Sequence, residues 1–167
     1  MSLEATESVV AMLIHSAQTE NGVTGPLIEK GPGDIPPMLK KSPNVSVLIV
    51  DDEPLIRWSL AETLTDRGYG VLEAGDGRGA VEVLSEAPGP VDVIMLDYRL
   101  PDSNGLQLLA RLRSLSPASR VVLMTAYGTP EVFAEAMRLG AACVVNKPIE
   151  MQDVAGLVAR ARGAAPA

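Results

Sequence analysis

Five short apolar runs, separated by segments with helical spacing, dominate the chain after residue 44. The runs cover residues 46–50, 69–74, 91–96, 120–124 and 142–145. Within each run apolar residues occupy successive positions rather than strictly alternate ones, as in VLIV, VL, VIML, VVLM and ACVV, which is typical of strands that are buried on both faces. Between the runs, apolar residues recur three or four positions apart, as they do in amphipathic helices. The alternation predicts an α/β domain, a doubly wound five-stranded parallel sheet with helices on both faces.

Prolines and glycines mark the ends of two of these helices. Pro54 and Pro130 stand where the first turn of a helix tolerates proline. Gly68 and Gly140 stand where a residue in the left-handed conformation ends a helix. We therefore expect helices that begin at about residues 54 and 130 and end just before these glycines.

The first 44 residues have a different character. Apolar residues within 3–17 fall near helical spacing and predict a short amphipathic helix. Residues 21–43 contain five prolines and four glycines, which predicts a linker without regular structure. The predicted organisation is an N-terminal extension over residues 1–44, one domain over residues 45–163 and a tail over residues 164–167.

Composition excludes several classes of function. A net charge of −7 and a pI near 4.7 argue against direct nucleic-acid binding, which needs clustered Lys and Arg. A single cysteine, Cys143, cannot form an internal disulfide, and no signal segment opens the chain. No apolar run approaches the roughly 20 residues that a membrane-spanning helix needs. We expect a cytoplasmic protein that does not contact a membrane.

Polar residues whose side chains can bind ligands or react follow four of the five apolar runs. Asp51 and Asp52 follow the first, Asp97 the third, Thr125 the fourth and Lys147 the fifth, whereas the second run ends without a reactive group. The carboxyl ends of parallel strands meet at one edge of a sheet, where such folds bind ligands. Adjacent carboxylates at the end of a buried strand repel each other, and a divalent cation is the simplest compensating charge. The set suits a site that holds a divalent cation and a phosphoryl group together.

Each of these polar residues could also have a purely structural role. Asp97, before the sequence YRLP, could form a turn, and Thr125 could cap the helix that starts near Pro130. The pair Asp51 and Asp52 could be a solvated strand end. Lys147 argues for function, because the ten other basic residues after residue 41 are all arginine, so a compact ammonium is selected here.

Two further residues carry no functional prediction. His15 is the only histidine and has no acid or second ligand nearby in the sequence, so we interpret it as a surface or packing residue. Cys143 lies within the fifth apolar run and is most simply a small buried hydrophobe.

Four segments resemble the response-regulator receiver domains of bacterial two-component signalling. They are VLIVDDEPLIRWSL, VIMLDYRLPDSNGLQLL, VVLMTAYG and VVNKPIE. The first is similar to the receivers of nitrogen-regulator-type activators, and the resemblance covers residues 45 to about 162. It implies a flavodoxin-like (βα)5 fold of the CheY-like type.

The resemblance also implies a role for each polar residue. Asp97 would be the phosphoacceptor, and Thr125 and Lys147 would contact the phosphoryl oxygens. The Mg²⁺ ligands would be Asp51, acting through water, together with Asp52, Asp97 and the backbone carbonyl of Arg99. Pro101 and Gly105 match the loop that follows the phosphoacceptor, and the bond between Lys147 and Pro148 is usually cis in this family.

One position departs from the family pattern. Val144 stands three residues before Lys147, where the family usually carries Tyr or Phe. The usual switch, in which an aromatic side chain changes rotamer, is therefore not expected here. Tyr127 could partly cover the site or be an exposed loop aromatic, and Arg99 occupies a position that could tune dephosphorylation.

The resemblance implies a signalling switch rather than an enzyme with an external substrate. A histidine kinase would supply the phosphoryl group, and phosphorylation would change the affinity for an unknown downstream protein. The few residues after 162 predict a stand-alone receiver. One alternative is a phosphohydrolase with an aspartyl-phosphate intermediate, although Arg99 stands where such enzymes need an acid or base. The other is a phosphate-independent pseudo-receiver adaptor, which the Val144 departure keeps open and the intact acidic cluster opposes.

Overall fold

A computed structural model describes residues 45–163, where the predicted alternation of strands and helices is present. The strands are β1 Ser46–Val50, β2 Gly70–Ala74, β3 Val93–Asp97, β4 Arg99–Leu100, β5 Ser103–Asn104, β6 Arg120–Thr125 and β7 Ala141–Asn146. The helices are α1 Pro54–Asp66, α2 Gly77–Glu86, α3 Gly105–Leu115, α4 Pro130–Arg138 and α5 Met151–Gly163. The predicted helix over 3–17, the linker over 21–43, the tail over 164–167 and His15 lie outside the described residues and stay predictions.

The five long strands form one parallel sheet in the order β2-β1-β3-β6-β7. The predicted doubly wound sheet is therefore confirmed. The short strands β4 and β5 form a separate antiparallel pair directly after β3, in which Arg99 pairs with Asn104 and Leu100 with Ser103. This pair was not predicted, because two residues per strand are too few to show a period.

The predicted helix boundaries are confirmed. Pro54 and Pro130 lie in the first turns of α1 and α4. Gly68 and Gly140 have φ angles of +83° and +89°, in the left-handed region that only glycine adopts without strain. The bond between Lys147 and Pro148 is cis, as the resemblance implied.

Both faces of the sheet are covered, which explains why the apolar runs do not alternate with polar residues. Along β1, Leu48 and Val50 belong to the core beneath α2 and α3, whereas Val47 and Ile49 belong to the core beneath α1 and α5. Every residue of the central strand β3 is buried. Removing this apolar surface from water is the main term that stabilises the fold.

The edge strand β7 is less buried than the centre of the sheet. Val144 is half-buried and packs against the core beneath α2 and α3. Cys143 is half-buried on the opposite face, and this burial raises the pKa of its thiol. Its packing agrees with its interpretation as a small hydrophobe. Within residues 45–163, none of the helices has the length and apolarity needed to cross a bilayer.

Candidate functional site

The predicted site residues meet at the carboxyl edge of the sheet. Asp51 and Asp52 directly follow β1, Asp97 ends β3, Thr125 ends β6 and Lys147 directly follows β7. Because these four strands are consecutive neighbours in the sheet, their ends bring the five residues together. Asp97 and Thr125 are the last residues of their strands rather than the first residues after them, because β3 and β6 each extend one residue further than predicted.

Three carboxylates converge at this edge. Asp51, Asp52 and Asp97 each offer an oxygen, and these oxygens lie within 4.8 Å of one another. Asp51 is completely buried and Asp97 is 5% exposed, whereas Asp52 is exposed. The solvated strand end considered above is therefore wrong for Asp51. Carboxylate oxygens at this spacing are the donors that Mg²⁺ prefers, so the residues fit the metal that the resemblance implies.

Lys147 is the cation that pairs with this cluster. Its Nζ donates hydrogen bonds to Asp51 Oδ2 and to Asp97 Oδ2, each at 2.8 Å, and lies 3.9 Å from Glu53 Oε1. Burial alone would lower the pKa of Lys147. The hydrogen bonds and negative charges of Asp51 and Asp97 outweigh that effect and raise the pKa, so the ammonium stays charged.

Backbone groups hold the two buried carboxylates in place. The Glu53 N–H donates to Asp51 Oδ1 at 2.9 Å, and the Arg99 N–H donates to Asp97 Oδ1 at 3.2 Å. Asp97 thus makes the local turn bond that its sequence position also allowed, in addition to its contact with Lys147. The Arg99 bond places the backbone of residues 97–99 at the site. Within residues 45–163, no group donates a hydrogen bond to the Asp52 carboxylate.

Thr125 does not cap a helix. The cap of α4 is Thr129, whose Oγ1 accepts a hydrogen bond from the Val132 N–H at 3.4 Å, so the capping interpretation of Thr125 is wrong. Thr125 is 1% exposed, and its Oγ1 accepts from the Tyr127 N–H at 3.2 Å. Its hydroxyl hydrogen therefore stays available as a donor at the edge of the sheet.

Tyr127 and Arg99 contact each other beside the acidic cluster. The Tyr127 side chain is 74% exposed, and the Arg99 guanidinium carbon lies 5.3 Å from the centre of its ring. This is a cation–π distance. Tyr127 is thus an exposed loop aromatic, as one of the two interpretations had it, and its ring packs on the side chain of Arg99.

Sequence analysis missed Arg57 and Glu73. Arg57 Nη1 donates to the Asp51 carbonyl oxygen at 2.6 Å, and Arg57 Nε lies 3.4 Å from Glu73 Oε2. The second strand therefore does supply a charged group to this edge, through Glu73 in β2. A signal was present, because Arg57 is a cation in the first turns of a helix, where the helix dipole disfavours positive charge.

The fold and the site define a known family. Residues 47–159 match the family model described as the response regulator receiver domain, and the chain belongs to this family. It is a receiver domain of two-component signalling, a phosphorylatable switch of the flavodoxin-like (βα)5 class. Its acidic pocket is of the kind with which receiver domains bind Mg²⁺.

Individual relatives agree with this assignment. The chain is 33% identical to sporulation initiation phosphotransferase F of Bacillus subtilis, across 66% of this chain and 88% of that protein. It is 35% identical to the regulatory protein AtoC of Escherichia coli, across 69% of this chain and only 24% of that protein. A solved chemotaxis response regulator of Vibrio cholerae superposes with a TM-score of 0.64 at 29% identity, across 70% of this chain and 98% of that chain.

Proposed function

We propose that Asp97 is the phosphoacceptor of this receiver and that a histidine kinase supplies the phosphoryl group. The observation that carries the proposal is the position of Lys147, whose Nζ lies 2.8 Å from both Asp51 Oδ2 and Asp97 Oδ2. A carboxylate that is almost fully buried and next to a fixed cation is placed to attack phosphorus. Asp51 also contacts Lys147 but is completely buried, so it offers no surface to a phosphodonor, and Asp52 is exposed and makes no hydrogen bond with Lys147.

The proposed reaction transfers one phosphoryl group. An Asp97 oxygen forms the new bond to phosphorus while the bond from phosphorus to the kinase histidine nitrogen breaks. No base is needed, because a carboxylate nucleophile carries no proton that must be removed. Lys147 and the Thr125 hydroxyl would then contact the phosphoryl oxygens, which requires Thr125 to donate its free hydrogen toward Asp97.

A Mg²⁺ ion would be held by Asp51, Asp52, Asp97 and the backbone carbonyl of Arg99. When bound, the ion would neutralise negative charge on the phosphoryl oxygens during transfer. The three carboxylates and the single lysine support this assignment, because the lysine alone leaves the cluster with excess negative charge.

The readout of the switch is a change in affinity for a downstream protein. The net charge of −7 supports a protein partner over direct contact with nucleic acid. The chain spans only 24% of AtoC, so the partners of that longer protein are not transferred to it, and the downstream protein stays unnamed. We place the protein in the cytoplasm, with no enzymatic activity beyond transfer to and loss from its own aspartate.

The test is phosphorylation by a small donor. Incubation of the wild-type chain with acetyl phosphate and Mg²⁺ should add the mass of one phosphoryl group, and omission of Mg²⁺ should prevent it. Asp97→Asn should abolish the gain, whereas Asp66→Asn, an exposed carboxylate at the far end of α1, should leave it unchanged. Intact mass spectrometry measures all four samples. A full phosphoryl gain in Asp97→Asn would show that the phosphoacceptor lies elsewhere.

A further inference from the structure

Arg57 lies where the helix dipole disfavours it, so other contacts must hold its charge. It occupies the fourth position of α1, close to the positive end of the helix. Its Nη1 donates to the Asp51 carbonyl at 2.6 Å, and its Nε lies 3.4 Å from Glu73 Oε2. The Arg57 side chain is 22% exposed, so both contacts form at a partly desolvated position.

These contacts join the ends of two neighbouring strands. In the sheet Glu73 of β2 pairs with Ile49 of β1, two residues before Asp51. The guanidinium therefore spans from a backbone carbonyl after β1 to a carboxylate on β2. It also lies close over the end of β2, because a Cβ placed on Gly75 would be 3.4 Å from Arg57 Nη1. The guanidinium makes the two contacts from two different nitrogens held in one rigid plane, whereas an ammonium would have to make both from a single nitrogen.

Fixing the Asp51 carbonyl also fixes the residue that follows it. The Asp51 N–H donates to the Ala74 carbonyl at 3.1 Å, and both side-chain oxygens accept hydrogen bonds from Glu53 and Lys147. The carbonyl is the remaining polar group of Asp51, and Arg57 holds it. Because the peptide unit is planar, the orientation of this carbonyl sets the direction in which the chain enters Asp52.

We propose that Arg57, oriented by Glu73, is a positioning residue that sets the Mg²⁺ affinity of the site by holding the peptide between Asp51 and Asp52. The inference rests on the proposed function, since it takes these carboxylates as the metal ligands. Arg57 acts through this peptide and contacts neither the metal nor the phosphoryl group. Asp52 depends on it most, because its carboxylate is exposed and receives no hydrogen bond within residues 45–163.

The sign of the effect separates positioning from simple electrostatics. Arg57 is a positive charge near a cation site, so if charge alone mattered, its removal would tighten Mg²⁺ binding. If Arg57 positions the ligands, its removal weakens binding despite the gain in negative charge. A lysine at this position keeps the positive charge but not the planar guanidinium, so Arg57→Lys tests the hydrogen-bond geometry without a change of charge.

The experiment is isothermal titration of Mg²⁺ into the full chain and its variants. Arg57→Gln should raise the Kd about tenfold, the lower end of what loss of an outer partner costs a metal ligand. Arg57→Lys and Glu73→Gln should raise it by smaller factors. Arg67→Gln, an exposed arginine just beyond the other end of α1, makes the same charge change and should leave the Kd unchanged. At saturating Mg²⁺, Arg57→Gln should regain the wild-type rate of phosphorylation by acetyl phosphate.

The outcomes are separable. An Arg57→Gln protein that binds Mg²⁺ as tightly as the wild type, or more tightly, would overturn the inference. If that variant fails to fold by circular dichroism, Arg57→Lys decides, and an unchanged Kd there would overturn it equally. A wild-type chain that binds no Mg²⁺ would overturn the proposed metal site and this inference with it. If the wild type binds Mg²⁺ and the Arg57 substitutions leave its Kd unchanged, the inference about Arg57 is overturned and the proposed metal site stands.

Discussion

The carboxylates at the carboxyl edge of the sheet and those at the start of α2 have opposite surroundings. At α2, Asp76 Oδ1 accepts from the Gly79 N–H at 2.7 Å, and Asp102 accepts from the Gly77 and Arg78 N–H groups at 2.9 and 3.0 Å. At the sheet edge, three carboxylates face one another and share one lysine.

The difference separates carboxylates that stabilise the fold from carboxylates that are held close together at the candidate metal site. Asp76 and Asp102 satisfy backbone donors that a helix start leaves unpaired, and the helix dipole favours their charge, so they stabilise the fold. The edge carboxylates repel one another, and their negative charge exceeds what one ammonium neutralises. Their repulsion costs stability, which Lys147 offsets in part and a bound divalent cation would offset further. Four substitutions test this contrast through the free energy of unfolding.

The largest expected effect is at Lys147. Lys147→Met leaves the buried carboxylates of Asp51 and Asp97 without their cation, and we expect a loss of about 3 kcal/mol, the lower end for breaking a buried ion pair. Urea unfolding without Mg²⁺ measures it. In a double-mutant cycle, Asp51→Asn should make the same Lys147 substitution markedly less costly. An unchanged urea midpoint in Lys147→Met would mean that the cluster is not under charge strain.

The helix cap comes next. Asp76→Ala removes the acceptor for the Gly79 N–H, and we expect a loss of about 1 kcal/mol, as is usual for an N-cap. The matched comparison is Asp76→Asn, which keeps an acceptor oxygen and should lose only part of this. Thermal or urea unfolding of the wild type and the two variants measures these losses. Equal stability of all three proteins would show that the Asp76 cap does not stabilise the fold.

Substitution of Asp102 should also lower the free energy of unfolding, and this loss should depend on pH. The hydrogen bond from the Gly77 N–H, followed by that from Arg78, lowers the pKa of Asp102 below its ordinary 3.8. A lowered folded-state pKa means that Asp102 stabilises the fold above the unfolded-state pKa and loses this contribution as the pH falls through the folded-state value.

The Asp102 carboxylate is exposed, so solvent screens it, and we expect Asp102→Asn to cost only about 0.5 kcal/mol at pH 7. The difference between wild type and Asp102→Asn should shrink as the pH falls below 3.8. Urea midpoints measured between neutral and acid pH give this curve. A difference that grows toward acid pH would reverse the assignment.

The smallest expected effect is a gain in stability, at Asp52. Asp52→Asn removes one of three mutually repelling carboxylates, and because Asp52 is exposed, we expect a gain of only about 0.3 kcal/mol in the absence of metal. The wild type should be stabilised by added Mg²⁺, since a ligand of the folded state raises its stability, and the variant should not. An Asp52→Asn protein that is less stable than the wild type without Mg²⁺ would erase the contrast between the two regions.

The fold was predictable because its signals are local. Successive apolar residues in β1 and β3 reveal strands buried on both faces, and Pro54 and Gly68 delimit α1. The antiparallel pair β4 and β5 was not predictable, since two residues carry no period. The convergence of Asp51, Asp97 and Lys147 could be anticipated, because parallel strands bring their ends to one edge, whereas the contacts of Arg57 with Asp51 and Glu73 could not.

The sequence by itself determined the strands, the helices and the chemical groups at the strand ends, because backbone sterics and apolar spacing act over a few residues. Only the tertiary structure decided which of these groups meet. Lys147 reaches Asp51 across 96 residues and Asp97 across 50, and both contacts depend on the order in which the strands pair. The same holds for Arg57 with Glu73 and for Asp102 with the start of α2. Such contacts form between polar groups that are distant in the chain, and no periodicity of the sequence encodes them.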